Sequence, residues 1–137
     1  MNILSTFNVE RHTQTAIIPE FVFPLAMGYD IYSDETKIIA SGRRGFVDTG
    51  LTISIPEGMY GSLSARLSLN SIGVEIHPVI YDPFSTHRLR VMLTNNSSHD
   101  LPIQAGDKIA ILVLLPMETP LMVVKETSQF AQFALDV

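Results

Sequence analysis

The sequence contains no cysteine and no tryptophan among its 137 residues. The absence of cysteine excludes disulfide bonds, zinc–thiolate sites and cysteine nucleophiles, and it agrees with a reducing compartment. Only 17% of the residues are charged, whereas 46% are hydrophobic, which is typical of a folded domain and not of a disordered chain. The length is sufficient for one compact domain with a core and too short for two.

Basic residues and long apolar runs are also scarce. Nine Lys and Arg against fourteen Asp and Glu give a net charge of −5, which argues against a dedicated binder of nucleic acid or anionic membranes. The longest apolar run, residues 109–115, is far shorter than the roughly 20 residues of a membrane helix, so no membrane insertion is expected. The first residues show no basic segment followed by an apolar stretch, so no signal peptide is expected. We therefore expect an intracellular domain, cytoplasmic or nuclear.

The residue pattern favours an all-β fold. No stretch keeps helical spacing over three turns, and short β-branched runs recur between turn-forming residues. The predicted strands cover residues 15–18, 29–32, 45–47, 51–55, 61–65, 74–76, 89–95 and 108–115. Many short strands at this spacing are typical of an antiparallel β-barrel or jelly roll. We expect one such domain over residues 1–120, followed by a C-terminal tail over residues 121–137.

Segments along this pattern resemble, in order, the motifs of the trimeric dUTPase family. They are Ala26-Met27-Gly28-Tyr29-Asp30-Ile31-Tyr32-Ser33, Thr49-Gly50-Leu51 with residues 55–61, Arg66-Leu67-Ser68-Leu69, residues 91–95, and Gly106-Asp107-Lys108-Ile109-Ala110. The resemblance runs from about residue 22 to residue 115. It implies a dUTPase-like antiparallel barrel of jelly-roll type, assembly as a homotrimer, and hydrolysis of dUTP to dUMP and pyrophosphate with Mg²⁺.

The resemblance assigns possible roles to three residues. Asp82 falls on the aspartate that activates water as a general base, although Asp82-Pro83 is also an ordinary turn pair. Arg66 falls on an arginine that binds phosphate, although an exposed arginine at a strand end is an equal alternative. Asp30 keeps the residue type of the first motif, where maintenance of the fold explains it as well. The four histidines lack metal-ligand spacing, so no protein metal site is expected.

Other positions depart from the family pattern. Residues 75–79 replace the glycine-containing hairpin that binds uracil, and Pro78 has no N–H to offer. Ile111 replaces a glutamine of the fourth motif, and no glycine follows Gly106, so the glycine-rich closing arm is missing. These departures predict a non-catalytic protein without a cofactor. In this respect the chain resembles the adenoviral early-region proteins derived from dUTPase, which kept the barrel and lost activity.

The last three residues suggest a partner for such a scaffold. Leu135 and Val137 form an apolar-x-apolar C-terminus, the arrangement that a PDZ domain binds as an added strand. The adenoviral resemblance implies recruitment of PDZ-domain proteins through these residues, although Phe130 and Phe133 would alternatively dock the tail on the barrel. The expected function is therefore a viral-type interaction scaffold. The alternatives are a divergent dUTP pyrophosphatase that uses Asp82, Arg66, Asp30 and Mg²⁺, and a purely structural or regulatory trimer.

Overall fold

A computed structural model describes residues 6–21 and 28–127 of the chain. Within these ranges the chain forms ten strands and one short helix. They are β1 (Asn8–Arg11), β2 (Tyr29–Tyr32), β3 (Lys37–Ile39), β4 (Arg44–Ser54), β5 (Met59–Ala65), α1 (Leu67–Asn70), β6 (Val74–Ile76), β7 (Val79–Tyr81), β8 (Thr86–Asn95), β9 (Leu101–Ile103) and β10 (Lys108–Pro116). None of the helices described there is long and apolar enough to span a membrane.

The strands form two four-stranded sheets and one two-stranded sheet. The strand orders are β1-β4-β8-β6, β2-β10-β5-β7 and β3-β9, and the strand pairs are antiparallel. This arrangement confirms the predicted all-β fold. Residues 117–127, which follow β10, form neither helix nor strand. The predicted boundary between domain and tail at residue 120 stays a prediction.

The core lies between the two larger sheets and follows strand alternation. On β8, Leu89, Val91 and Leu93 are at most 1% exposed, while the intervening residues face outward or are half-buried. Their β4 neighbours Leu51 and Ile53 are fully buried against them. Burying one such aliphatic side chain stabilises the folded state by about 1.5–3 kcal/mol. Because these residues alternate along the strand, their combined burial fixes which face of the strand turns toward the core.

The predicted strands 45–47 and 51–55 are one strand, β4, so their separation was wrong. The residues between them, Asp48, Thr49 and Gly50, form a β-bulge and not a turn. The Asp48 carboxylate accepts the Gly50 N–H at 2.8 Å, and the Thr49 hydroxyl donates to the Leu89 carbonyl at 2.6 Å. Burial alone would raise the pKa of Asp48, but the Gly50 N–H and the Arg88 guanidinium outweigh burial and lower it.

Other element boundaries also differ from the sequence pattern. Residues 15–18 are not a strand: the Ala16 N–H donates to the Thr13 hydroxyl at 3.0 Å, and only Glu20 forms an isolated bridge, with Asp30. Strands β1, β3, β7 and β9 and helix α1 are not among the predicted elements. Each has three or four residues, which is too short for periodicity to identify.

The bulge gives a stability prediction at Gly50. Its φ is +69°, and a Cβ there would lie 2.8–2.9 Å from Asp34 Oδ2, Thr13 Oγ1 and Ala16 Cβ. Gly42 has φ +75° and open space around the same position, so it is a matched control. We expect Gly50→Ala to lower the free energy of unfolding by about 3 kcal/mol and Gly42→Ala by about 1 kcal/mol, as measured by urea denaturation. Equal losses would contradict the crowding at Gly50.

Candidate functional site

A cluster of three charged side chains lies on the outer face of the β2-β10-β5-β7 sheet. Arg66 Nη1 is 2.6 Å from Asp30 Oδ1, and Lys108 Nζ is 3.4 Å from Asp30 Oδ2. The side chains are 26%, 21% and 48% exposed for Arg66, Asp30 and Lys108, respectively. Each oxygen of the central carboxylate therefore faces one cation, and both cations remain open to a ligand.

Strand register explains why these three residues meet. Asp30 lies on β2, opposite Ile111 of β10, and Arg66 immediately follows β5, which pairs with the other edge of β10. Lys108 begins β10, opposite Tyr32. The neighbouring Ile31 is fully buried, so alternation turns Asp30 to the outer face.

Tyr32 and Glu20 extend this cluster. The Tyr32 hydroxyl donates to Glu20 Oε2 at 2.7 Å, and the Asp30 N–H donates to the Glu20 carbonyl at 2.8 Å. Burial raises the pKa of Tyr32 to about 12, assisted by the hydrogen bond and charge of Glu20 and by the charge of Asp30 and opposed by Arg66. Tyr32 therefore stays protonated at neutral pH and holds Glu20 beside Asp30.

Asp82 lies elsewhere, in the turn between β7 and β8. Its Oδ1 accepts the Phe84 N–H at 2.8 Å and the Ser85 hydroxyl at 3.4 Å. Among the described residues, Oδ2 makes no hydrogen bond, and the side chain is 53% exposed. Asp82 thus forms a turn directly after a strand, which agrees with its interpretation as a turn residue, while its role as a general base stays a prediction.

One protomer does not bring Asp82 and Arg66 together. In the β5–β7 ladder Gly61 is opposite Tyr81, so Asp82 lies beyond one end of the ladder, while Arg66 lies beyond Ala65 at the other end. About six extended residues, or roughly 20 Å, separate the two positions along the strands. Asp30 and Arg66 were therefore placed together by the fold, and Asp82 apart from them.

The positions that depart from the family pattern have defined surroundings. The His77 N–H donates to the Met92 carbonyl at 2.9 Å, and His77 and Pro78 connect β6 to β7. Ile111 is half-buried opposite Asp30. Leu135 and Val137, the residues predicted to bind a PDZ domain, lie outside the described residues.

Sequence reasoning missed Lys108, Tyr32 and Glu20 as members of the cluster. Lys108 and Tyr32 belong to segments already matched to motifs. Asp30 and Tyr32 are two residues apart on one strand, and this spacing places their side chains on the same face. Glu20 has no local signal, because an isolated bridge after an irregular segment places it there.

Solved structures support the fold assignment. The Staphylococcus bacteriophage 80alpha dUTPase is 25% identical, with a TM-score of 0.80 over 90% of this chain and 98% of that one. The dUTPase of phage phi11 of Staphylococcus aureus is 26% identical, with a TM-score of 0.80 over 91% of this chain and 99% of that one. Another structure of the phi11 protein concerns its coordination of a structural Mg(II) ion.

Curated relatives carry the name deoxyuridine 5′-triphosphate nucleotidohydrolase. The Yarrowia lipolytica protein is 37% identical over 75% of this chain, which spans 66% of that protein's length. A probable Schizosaccharomyces pombe enzyme is 32% identical over 89% of this chain and 88% of its own length. The Variola virus protein is 32% identical over 82% of this chain and 77% of its own length.

These relatives overturn the prediction of a non-catalytic scaffold, which was wrong. Identity of 31–37% with proteins named for dUTP hydrolysis extends over most of the chain and favours the catalytic alternative. His77, Pro78 and Ile111 therefore do not establish a loss of catalysis, and the ion pairs around Asp30 leave charged groups available for a ligand. The comparisons also give no support to the closer resemblance to adenoviral proteins or to a PDZ partner.

The family assignment rests on the length of the match. Residues 14–134 match the dUTPase family, a range that includes the cluster around Asp30 as well as Asp82. The strand topology and the similarity to the two phage structures agree with this match. The chain belongs to the dUTPase family.

Proposed function

We propose that this protein hydrolyses dUTP to dUMP and pyrophosphate, acting as a homotrimer with Mg²⁺ bound alongside the nucleotide. The observation that carries the proposal is the family match over residues 14–134, which contains Asp30, Arg66, Asp82 and Lys108. The names of the yeast and poxvirus relatives point to the same substrate. An intracellular compartment stays a prediction from the sequence.

Arg66 and Lys108 are the proposed phosphate ligands. A guanidinium has five N–H donors, and only one nitrogen of Arg66 contacts Asp30 in the ion pair, so donors remain for phosphate oxygens. The half-exposed Lys108 ammonium adds a second positive charge on the other side of the carboxylate. Asp30 keeps the two cations at fixed positions that a triphosphate chain can bridge.

Asp30 does not fit the role of a direct magnesium ligand, because Arg66 at 2.6 Å and Lys108 at 3.4 Å already occupy its two oxygens and would repel a further cation. The phosphate oxygens of the substrate would therefore hold Mg²⁺. No group of three or more His, Cys, Asp or Glu suited to a metal is found in residues 6–21 and 28–127. Mg²⁺ commonly binds one or two carboxylates together with substrate phosphates, where it neutralises developing negative charge.

Asp82 is the proposed general base. Its Oδ1 is fixed by the Phe84 N–H and the Ser85 hydroxyl, which leaves Oδ2 to accept a proton from the attacking water. The location of Asp82 after a strand, at the start of a hydrogen-bonded turn, restricts the carboxylate to one orientation. A fixed carboxylate of this kind lowers the entropic cost of aligning water.

The distance between Asp82 and Arg66 supports the homotrimer. Because roughly 20 Å of strand separates them within one protomer, a site that uses both needs Asp82 from one copy and Arg66 from another. Closed cyclic symmetry repeats such a contact equally around a ring. A trimer would therefore contain equivalent sites, each between two neighbouring copies.

The first test is pyrophosphate release from dUTP with Mg²⁺ by the wild type and Asp82→Asn. We expect the amide to lower kcat by about 100-fold to 10,000-fold, because it cannot accept the proton from water. Asp100→Asn is the control. The Asp100 carboxylate also accepts a backbone N–H, from Ser41 at 3.0 Å, but it lies outside the proposed site. Unchanged turnover in Asp82→Asn would contradict the assignment of the base.

A second test addresses the phosphate site. Arg66→Met removes the cation beside Asp30, and we expect KM for dUTP to rise by about 10-fold to 100-fold, the equivalent of one lost hydrogen bond to a charged group. Arg88→Met is the matched control, because it breaks another Arg–Asp pair, with Asp48 at 3.0 Å, on the other sheet. If both variants change KM equally, Arg66 does not bind the nucleotide.

A third test asks whether the site is shared between copies. Asp82→Asn and Arg66→Met chains are each impaired, but mixing them by denaturation and refolding should rebuild sites with a native Asp82 and a native Arg66. In an equal mixture, half of the copies carry a native Asp82 and the other half carry a native Arg66. About a quarter of the shared sites should then contain both native residues, so we expect about a quarter of wild-type activity. Refolding each variant alone provides the control, and no recovery in the mixture would place both residues in a site within one protomer.

A further inference from the structure

His87 lies directly beneath the turn that carries Asp82. It is the second residue of β8, and its Nε2 is 2.9 Å from the Asp82 carbonyl oxygen. Because a carbonyl oxygen only accepts hydrogen bonds, Nε2 carries the proton and donates it. The same nitrogen is 3.9 Å from Asp82 Oδ1, and the His87 side chain is only 18% exposed.

The His87 ring has a fixed orientation. In the β8 alternation it shares the inward face with Leu89, and it is opposite the fully buried Ile53 of β4. The ring packs against Tyr81, the last residue of β7, with centroids 5.0 Å apart and planes inclined by 54°. His87 thus belongs to one sheet and contacts the end of the other, where the turn begins.

The turn itself has few other restraints. Asp82 and Phe84 are exposed, the latter at 82%, and the hydrogen bonds of the carboxylate to Phe84 and Ser85 stay within the turn. The bond from His87 is the contact described for Asp82 that reaches beyond the turn into β8. Loss of that donor would remove the side-chain bond between Asp82 and β8 and leave the turn restrained by its two strand ends and the half-buried Pro83.

We propose that His87 is a positioning residue for Asp82, which ties the turn bearing the proposed base to the opposite sheet. This inference rests on the proposed function, because it concerns the placement of the same carboxylate. His87 does not touch the reacting atoms in this role. It acts by keeping Asp82 at one distance and angle, and a displacement of about 1 Å in such a group costs up to 100-fold in rate.

Two substitutions separate the hydrogen bond from the packing. His87→Leu keeps an apolar body against Tyr81 and removes the donor, whereas His87→Gln can place an amide N–H where Nε2 was. We expect His87→Leu to lower kcat for dUTP by about 10-fold or more with KM within about 2-fold, and His87→Gln to recover most of the loss. His12→Leu is the control. His12 Nε2 also forms a hydrogen bond to a neighbouring strand, with Thr52 Oγ1 of β4, but this bond is away from the turn.

A second readout does not depend on catalysis. The Phe84 amide donates to Asp82 Oδ1, so its hydrogen exchange, followed by NMR, reports whether the turn stays closed. We expect about 10-fold faster exchange in His87→Leu, near wild-type exchange in His87→Gln, and no change in His12→Leu. Thermal melting of all variants identifies any loss of folding.

The two readouts separate this inference from the proposed function. If the wild type does not hydrolyse dUTP, the proposed function fails, while Phe84 exchange still decides whether His87 fixes the turn. If His87→Leu leaves both kcat and Phe84 exchange unchanged, the inference is wrong. It is also wrong if His87→Gln is as impaired as His87→Leu although both melt at the wild-type temperature.

Discussion

The pairing of β10 with β2 on one edge and β5 on the other is the constraint on which the charged cluster depends. A bulge between Lys108 and Ala110 interrupts strict alternation, so that Ile109 and Ala110 are both buried. Lys108 and Ile111 therefore both face outward, which brings the Lys108 ammonium to Asp30. Bulges that redirect one side chain are frequent beside functional sites, and this one sets the spacing between the two cations.

Asp30 has the complementary electrostatic role. Two cations held close together repel each other, and a carboxylate with one oxygen toward each removes that penalty and fixes their separation. Glu20 and the protonated Tyr32 add a second carboxylate and a neutral donor behind Asp30, so the cluster is balanced in the absence of a ligand. In the proposed complex, a polyphosphate with Mg²⁺ would bring both signs of charge to this arrangement.

The sequence predicted what depends on local alternation and missed what depends on distant partners. The all-β architecture and the strands at residues 89–95 and 108–115, which became parts of β8 and β10, follow from β-branched runs and turn residues. The continuity of β4 through residues 48–50 is not visible in the sequence, because only pairing with β8 shows that Asp48, Thr49 and Gly50 form a bulge within one strand. Likewise, Glu20 joins the site through a bridge to Asp30 that no local pattern encodes.

The prediction of lost catalysis failed for a related reason. It treated each departure from a motif as the loss of a chemical group, and it treated turn formation by Asp82 as an alternative to catalysis. In the structure the turn uses Oδ1, and the proposed base uses Oδ2 of the same carboxylate. Fixing one oxygen restricts where the other points, so the turn supports the orientation that a general base requires. The two interpretations of Asp82 were therefore compatible from the start.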